Sequence, residues 1–167
     1  MKRVNKKIVY CVVLFLTLMQ FSYISYANIV IYGNDLWSTP RDVINEDVYI
    51  MQGATLTITA EIKFSSNSSI IIYDQGKLHV DGGILTNYDA NELWQGILLL
   101  GNPSLNQSLN PRTQGIVSLE NALIANAECA IKVGATLKET TPNGIVYYTS
   151  VPGGGIVFAE NSQFLNN

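Results

Sequence analysis

Apolar residues in this chain fall in alternating pairs or short runs, and almost nothing beyond residue 27 has the spacing of an amphipathic helix. The pairs are Val48/Ile50, Leu56/Ile58, Ile62/Phe64, Leu78/Val80 and Ile131/Val133. The runs are Ile70-Ile71-Ile72, Ile97 to Leu100, Ile116-Val117, Leu123-Ile124, Ile145-Val146 and Ile156-Val157-Phe158. Ile, Val and Thr are frequent within them and Gly, Asn, Asp and Ser separate them, the pattern of many short strands. An antiparallel sandwich also gives strands at short spacing, so the distances between like residues must decide.

Those distances are regular. Leu56, Ile58 and Ile62 recur as Leu78, Val80 and Ile84, 22 positions on, and Gln95-Gly96-Ile97 recurs as Gln114-Gly115-Ile116, 19 positions on. Gly115, Ile116, Glu120, Asn121 and Asn126 recur as Gly155, Ile156, Glu160, Asn161 and Asn166, all 40 positions on. Self-similarity of this kind marks stacked units that cannot bury an apolar face alone. Rungs of about 20 residues fit one turn of a parallel β-helix, three short strands to a coil. Leu, Ile and Val then fill interior ladders, while Asn126 and Asn166 form a turn ladder, since Asn tolerates left-handed backbone. The 40-residue step fits two coils, or one coil with an insertion. Turn-rich Thr140-Thr141-Pro142-Asn143-Gly144 and Pro152-Gly153-Gly154 favour one coil, with a loop over 134–154 and a small hairpin strand at Ile145–Tyr148. A second loop is expected over 102–113.

The first 27 residues read differently. Lys2, Arg3, Lys6 and Lys7 precede an apolar stretch from Ile8 to Met19, and Ser25-Tyr26-Ala27 offers small residues at a cleavage site. That order is a secretory signal peptide. An uncleaved anchor is the alternative, but Gln20, Ser22 and Ser25 leave the run short for a span. Without the leader's four cations, six Lys and Arg face thirteen Asp and Glu, a net charge of −7. An exported chain this acidic lacks the basic footprint of nucleic-acid binding. Cys11 leaves with the leader, so Cys129 has no partner for an intramolecular disulfide and is expected to be a small buried hydrophobe.

With these elements in place, several segments resemble a known class. Val48-Tyr49-Ile50-Met51-Gln52-Gly53-Ala54-Thr55-Leu56-Thr57-Ile58 resembles the opening rung of secreted bacterial right-handed parallel β-helix repeat proteins, surface proteins of the Bacteroidetes type. Trp94-Gln95-Gly96-Ile97 is similar to the W-x-G-I step of their early rungs, and the paired G-I-V-x-x-E-N segments to later ones. The resemblance spans about residues 36–167 and rests on fold motifs, not on an activity. It implies an all-β, right-handed parallel β-helix with a signal peptide over 1–27, an entry or cap segment over 28–47 and the solenoid over 48–167. It also implies a longer parent protein of which this is the N-terminal part. The alternative is a truncated product or an unusually short member, in which Ile156, Phe158, Phe164 and Leu165 would lie on an uncovered rung, a site for self-association.

The same fold carries pectin-lyase-like polysaccharide lyases and hydrolases, which need an Arg or Lys base beside calcium-binding acids, or paired carboxylates. Arg41 and Arg112 each stand alone in turn-like sequence. Asp74, Asp81, Asp89 and Glu92 fall in one stretch, close enough to share a face, but no D-x-D-x-D loop supports calcium there. His79, the one histidine, alternates with Leu78 and Val80 and should point outward. Glu120 and Glu160 repeat, which favours a turn role over catalysis. No zinc cluster, nucleophile elbow or phosphate loop occurs. Tyr49, Tyr73, Tyr88 and Trp94 are aromatics of the kind that stack on sugars; Trp94 is assigned to packing, and Tyr147 and Tyr148 on the inserted loop are the preferred glycan-stacking pair. The sequence therefore predicts a secreted or cell-surface module, without enzymatic activity or a cofactor, whose role is structural or adhesive. Its partner is unspecified; polysaccharide binding is the second reading, and a lyase or hydrolase the third.

Overall fold

The computed structural model describes residues 28–140, 146–151 and 153–167; the signal-peptide segment 1–27 lies outside them. The described strands make five coils and one hairpin. Coil 1 is β1 (Ile29–Ile31), β2 (Asn34–Trp37) and β3 (Arg41–Val43). Coil 2 is β4 (Val48–Ile50), β5 (Thr55–Ile58) and β6 (Glu61–Phe64). Coil 3 is β7 (Ser69–Ile72), β8 (Lys77–Asp81) and β9 (Ile84–Asn87), and coil 4 is β10 (Gly96–Leu99), β11 (Ile116–Glu120) and β12 (Leu123–Ala125). Coil 5 opens with β13 (Ile131–Val133) and makes a detour through the hairpin β14 (Ala135–Thr140) and β15 (Val146–Val151). It closes with β16 (Ile156–Glu160) and β17 (Gln163–Leu165).

The first strands of the five coils pair in parallel as sheet A, the second strands as sheet B and the third as sheet C. This is a three-sided parallel β-helix. Residues 28–47, expected as an entry or cap, form a complete first coil whose strands pair with those of coil 2.

Alternation along each strand sends every second side chain inward, and parallel register stacks those side chains in columns. Sheet A contributes Ile29–Val48–Ile70–Ile97–Ile131 and Ile31–Ile50–Ile72–Leu99–Val133. Sheet B contributes Asp35–Leu56–Leu78–Val117–Val157 and Trp37–Ile58–Val80–Leu119–Ala159. Sheet C contributes Arg41–Ile62–Leu85–Ile124–Phe164. In coils 2 to 4 these residues are buried. Each is worth about 1.5–3 kcal/mol relative to an exposed side chain, which sets the solenoid register against a one-residue slip.

The 40-residue step is a single coil with an insertion: Ile116 pairs directly with Ile156, and Glu120 with Glu160. The inserted segment has two strands rather than one. The 22-residue step holds for Leu56↔Leu78 and Ile58↔Val80. It fails at the next strand, where Ile62 pairs with Leu85 rather than Ile84, because β8 runs one residue longer than β5 before its turn. The 19-residue match is not a rung at all. Gly96 begins a strand of sheet A and Ile116 one of sheet B within the same coil, so the two likenesses mark neighbouring faces.

Turn chemistry follows the backbone. Asn121 and Asn161 (φ 51° and 49°) turn sheet B into sheet C on coils 4 and 5; Asn126 and Asn166 (φ 57° and 54°) end sheet C. The Asn166 amide donates to Asn126 Oδ1 at 3.0 Å, and the Asn126 amide donates to Asn87 Oδ1 at 2.8 Å, so the expected turn ladder extends to a third asparagine. Gly96 is fixed by a different constraint: φ is +88°, and a Cβ there would collide with the Cys129 carbonyl oxygen. Trp94, just before it, is fully buried, stacks on Phe64 at 4.5 Å and donates Nε1–H to the Ala125 carbonyl. It packs, as its place in the repeated step suggests.

Candidate functional site

The expected chemical groups do not converge. Asp74 lies between sheets A and B, Asp81 ends β8 before sheet C, and Asp89 and Glu92 lie between sheets C and A. One stretch of sequence thus passes three corners of the solenoid, and the four acids share no face. Asp81, Glu120 and Glu160 do stack in register, as an exposed column of like charge. Among the described residues, no group of three His, Cys, Asp or Glu side chains is arranged to hold a metal ion. His79 points outward between Thr57 and Ser118, and its Nδ1 is shielded without a hydrogen-bond partner among the described residues. Cys129 is exposed, contrary to expectation, because it sits at the corner after Ala127 rather than on an inward strand position.

Both arginines are structural in their surroundings. Arg41 is in β3, with Cζ 4.2 Å from the centre of the Trp37 ring. Arg112 reaches back two coils and donates to the Gly53 carbonyl at 2.9 Å and to Thr55 Oγ1 at 3.1 Å. Its loop, 102–113, carries no strand, as expected, and is clamped by a residue that the sequence marks only as part of a repeated step. Gln114 is fully buried; its Oε1 accepts from Asn102 N–H at 2.7 Å, and its Nε2 donates to the carbonyls of Asn102 and Leu105 at 2.7 and 3.1 Å. A buried amide with both ends satisfied holds a loop in one conformation. The hairpin β14–β15 leaves the solenoid between the same two sheets, one coil further on. Both insertions therefore rise from a single corner. Tyr147 and Tyr148 belong to β15, and their side chains lie outside the described residues.

That corner borders the outer face of sheet A, which differs from the other two faces. Its central outward column reads Val30–Tyr49–Ile71–Leu98–Lys132. Backbone hydrogen bonds carry the register one residue past the strands, so that a second outward column reads Tyr32–Met51–Tyr73 and ends at Leu100, which is buried. The sheet B column reads Leu36–Thr57–His79–Ser118–Phe158, apolar only at its two ends, and sheet C presents Asp42, Lys63 and Thr86 on coils 1 to 3. Apolar residues on four successive coils of a solvent-facing sheet form the kind of contiguous patch that marks an interaction surface. Tyr49 and Tyr73 stack with ring centres 6.5 Å apart, and Tyr32 is 77% exposed.

The side of this face away from the insertions is polar. Asn28, Asn45, Asp47 and Asn67 line a cavity of ≈ 340 Å³ at the corner that feeds β1, β4 and β7. Asp47 is firmly placed, since Oδ1 accepts from Ser69 N–H at 2.9 Å and from Ser69 Oγ–H at 2.6 Å. The Tyr49 hydroxyl lies 3.5 Å from Asp47 Oδ2. Burial, with the Asp47 charge and Tyr73 beside it, raises the Tyr49 pKa above the ordinary phenol value, so it remains a neutral donor at physiological pH. The face was not legible in the sequence because its members, such as Val30, Tyr49, Ile71 and Leu98, are unequally spaced. Scans of this chain against protein-family models, curated proteins and solved structures return no match.

Proposed function

We propose that this chain is a non-enzymatic, secreted or cell-surface β-helix module whose work is structural and adhesive display. One observation carries the reading: a rigid solenoid presents an apolar, tyrosine-bearing outer face on sheet A, bordered by two insertions at one corner. Binding segments usually occur on loops held by a rigid scaffold, and the 102–113 loop is held by Gln114 and Arg112. The dispersed acids favour binding over hydrolysis or elimination, both of which need groups converging on one bond. The polysaccharide-binding form of the reading is favoured by the tyrosines of that face.

The test uses beads coated with the purified chain and, in parallel, with an Ile71→Lys/Leu98→Lys variant whose circular dichroism matches. The wild type should adhere to cell-surface and extracellular matrix preparations several-fold more than the variant does. Equal retention of both would remove sheet A as the adhesive face. New reducing ends or unsaturated sugars in polysaccharide incubated with the wild type would replace the reading with an enzymatic one.

A further inference from the structure

We propose that the outer face of sheet A binds an extended, uncharged glycan running parallel to the solenoid axis, with Tyr32, Tyr49 and Tyr73 as its stacking positions. This rests on the adhesive reading above and specifies the ligand of the same face. The first argument is periodicity. Neighbouring strands lie about 4.8 Å apart, close to the length of one sugar unit in an extended β-linked chain. Each coil from the first to the fourth offers an apolar outward residue in the same column. A polymer of sugars therefore meets equivalent positions at each step along the axis, whereas a peptide strand would need an open sheet edge for its backbone.

The second argument is the pairing of chemistries. Tyrosine rings accept the C–H faces of sugars, and their hydroxyls bond to sugar hydroxyls. Beside them, the cavity lined by Asn28, Asn45, Asp47 and Asn67 supplies directional donors and acceptors and contains no cation among its lining residues. Asp47 is held in place by Ser69, so its acceptor geometry is set before ligand arrives. The third argument is charge. Glu46, Asp47 and Asp74 flank the face and outnumber Arg112, whose guanidinium is engaged by Gly53 and Thr55, and acids in these positions repel uronic or sulfated chains. Lys132 on coil 5 is the cation of the central column, at its far end.

Calorimetry on the full chain with cello-, xylo- and manno-oligosaccharides of increasing length, and with oligogalacturonate and heparin as acidic controls, tests this. At least one neutral series should bind, with affinity rising up to about four sugars, one for each apolar coil. Tyr32→Ala should weaken it several-fold and Tyr49→Ala or Tyr73→Ala roughly tenfold. Tyr32 is exposed, so its loss leaves the fold intact if the half-buried tyrosines do not. Preference for an acidic glycan would overturn the assigned class. Neutral binding unaffected by all three substitutions would overturn the assigned face. Absence of binding to any glycan, while beads still adhere through sheet A, would overturn this inference and leave the adhesive reading standing, with a protein as its partner.

Discussion

The two ends of the solenoid finish the same interior columns in opposite ways. At coil 1 the sheet B column that runs through Leu56, Leu78 and Val117 begins with Asp35, and the sheet C column through Ile62, Leu85 and Ile124 begins with Arg41. Between them lies Trp37, only 4% exposed, which donates Nε1–H to Asp35 Oδ2 at 3.1 Å and carries the Arg41 guanidinium on its ring. At coil 5 the same columns end in Val157 and Phe164, 41% and 44% exposed, with Val133 of sheet A at 48%. Charges at inward positions are a known device against edge-to-edge stacking. Coil 1 therefore presents a charged end unsuited to a further apolar layer, whereas coil 5 presents one suited to it.

The strongest way to break this comparison is to truncate one residue at each end. Trp37→Ala removes a buried ring that closes the interior, and a loss of about 3–5 kcal/mol is expected. Phe164→Ala removes a ring that is 44% exposed, and a smaller loss, about 1 kcal/mol, is expected. Urea denaturation of the two variants measures both. Comparable losses would mean that the coil 1 residues do not form a cap.

The next effect is on association. The 167-residue chain is expected to self-associate through coil 5, and Val157→Lys/Phe164→Lys to abolish this by placing like charges on the apolar columns. Asp35→Leu/Arg41→Leu should do the reverse, opening a second adhesive end and extending dimers into longer assemblies. Sedimentation velocity distinguishes the species. A wild-type chain that stays monomeric at high concentration, or a double-lysine variant that still associates, would show that the coil 5 face is not the contact.

These parities also show how far the sequence could be read. Alternation around Leu56/Ile58 and Leu78/Val80 was enough to place both pairs inside, because the two coils match residue for residue up to the turn. Of the four residues expected on an uncovered rung, not all face the interior. Phe158 stacks on Ser118 and His79 and so faces outward, Leu165 follows Ala125 in register, and Ile156 is half-buried. The large, exposed inward residues of coil 5 are Val133, Val157 and Phe164. Similarly, Ile116 is buried but lies outside the interior cluster; its neighbour Val117 is the core residue. An unbroken run such as Ile116-Val117 does not reveal its own parity, which emerges only from the register with a neighbouring coil. A cap is expected over 28–47, but the sequence does not show which residues make it: Arg41 stands alone in turn-like sequence and Asp35 carries no signal until their columns identify both as inward positions.

A smaller effect contrasts depth in the asparagine ladder. Asn126 holds φ 57° and bonds to both Asn87 and Asn166, whereas Asn166 bonds on one side and is exposed. Asn126→Ala should cost about 1–2 kcal/mol, from the left-handed backbone and the lost hydrogen bonds. Asn166→Ala keeps the backbone cost but leaves fewer partners unsatisfied and should cost less. Asn126→Gly should recover the backbone part alone. If Asn126→Gly is as damaging as Asn126→Ala, the ladder acts through its side chains rather than its turn geometry.

The smallest effect belongs to the capped half and appears only in alkali. Tyr49 on coil 2 has its hydroxyl pKa raised in the fold, first by burial and then by the Asp47 charge and Tyr73. The folded chain thus holds this proton more tightly than the unfolded chain, whose phenol titrates near pH 10. The stabilisation is complete below that pH and is lost as the pH rises through the folded value. Thermal unfolding from about pH 9 to pH 11 should show a decline that Tyr49→Phe flattens, because phenylalanine has no proton to lose. Exposure of part of the ring to solvent keeps the decline small. An identical decline in Tyr49→Phe would move the alkaline sensitivity elsewhere and leave sheet A no more responsive to pH than the end that has no such tyrosine.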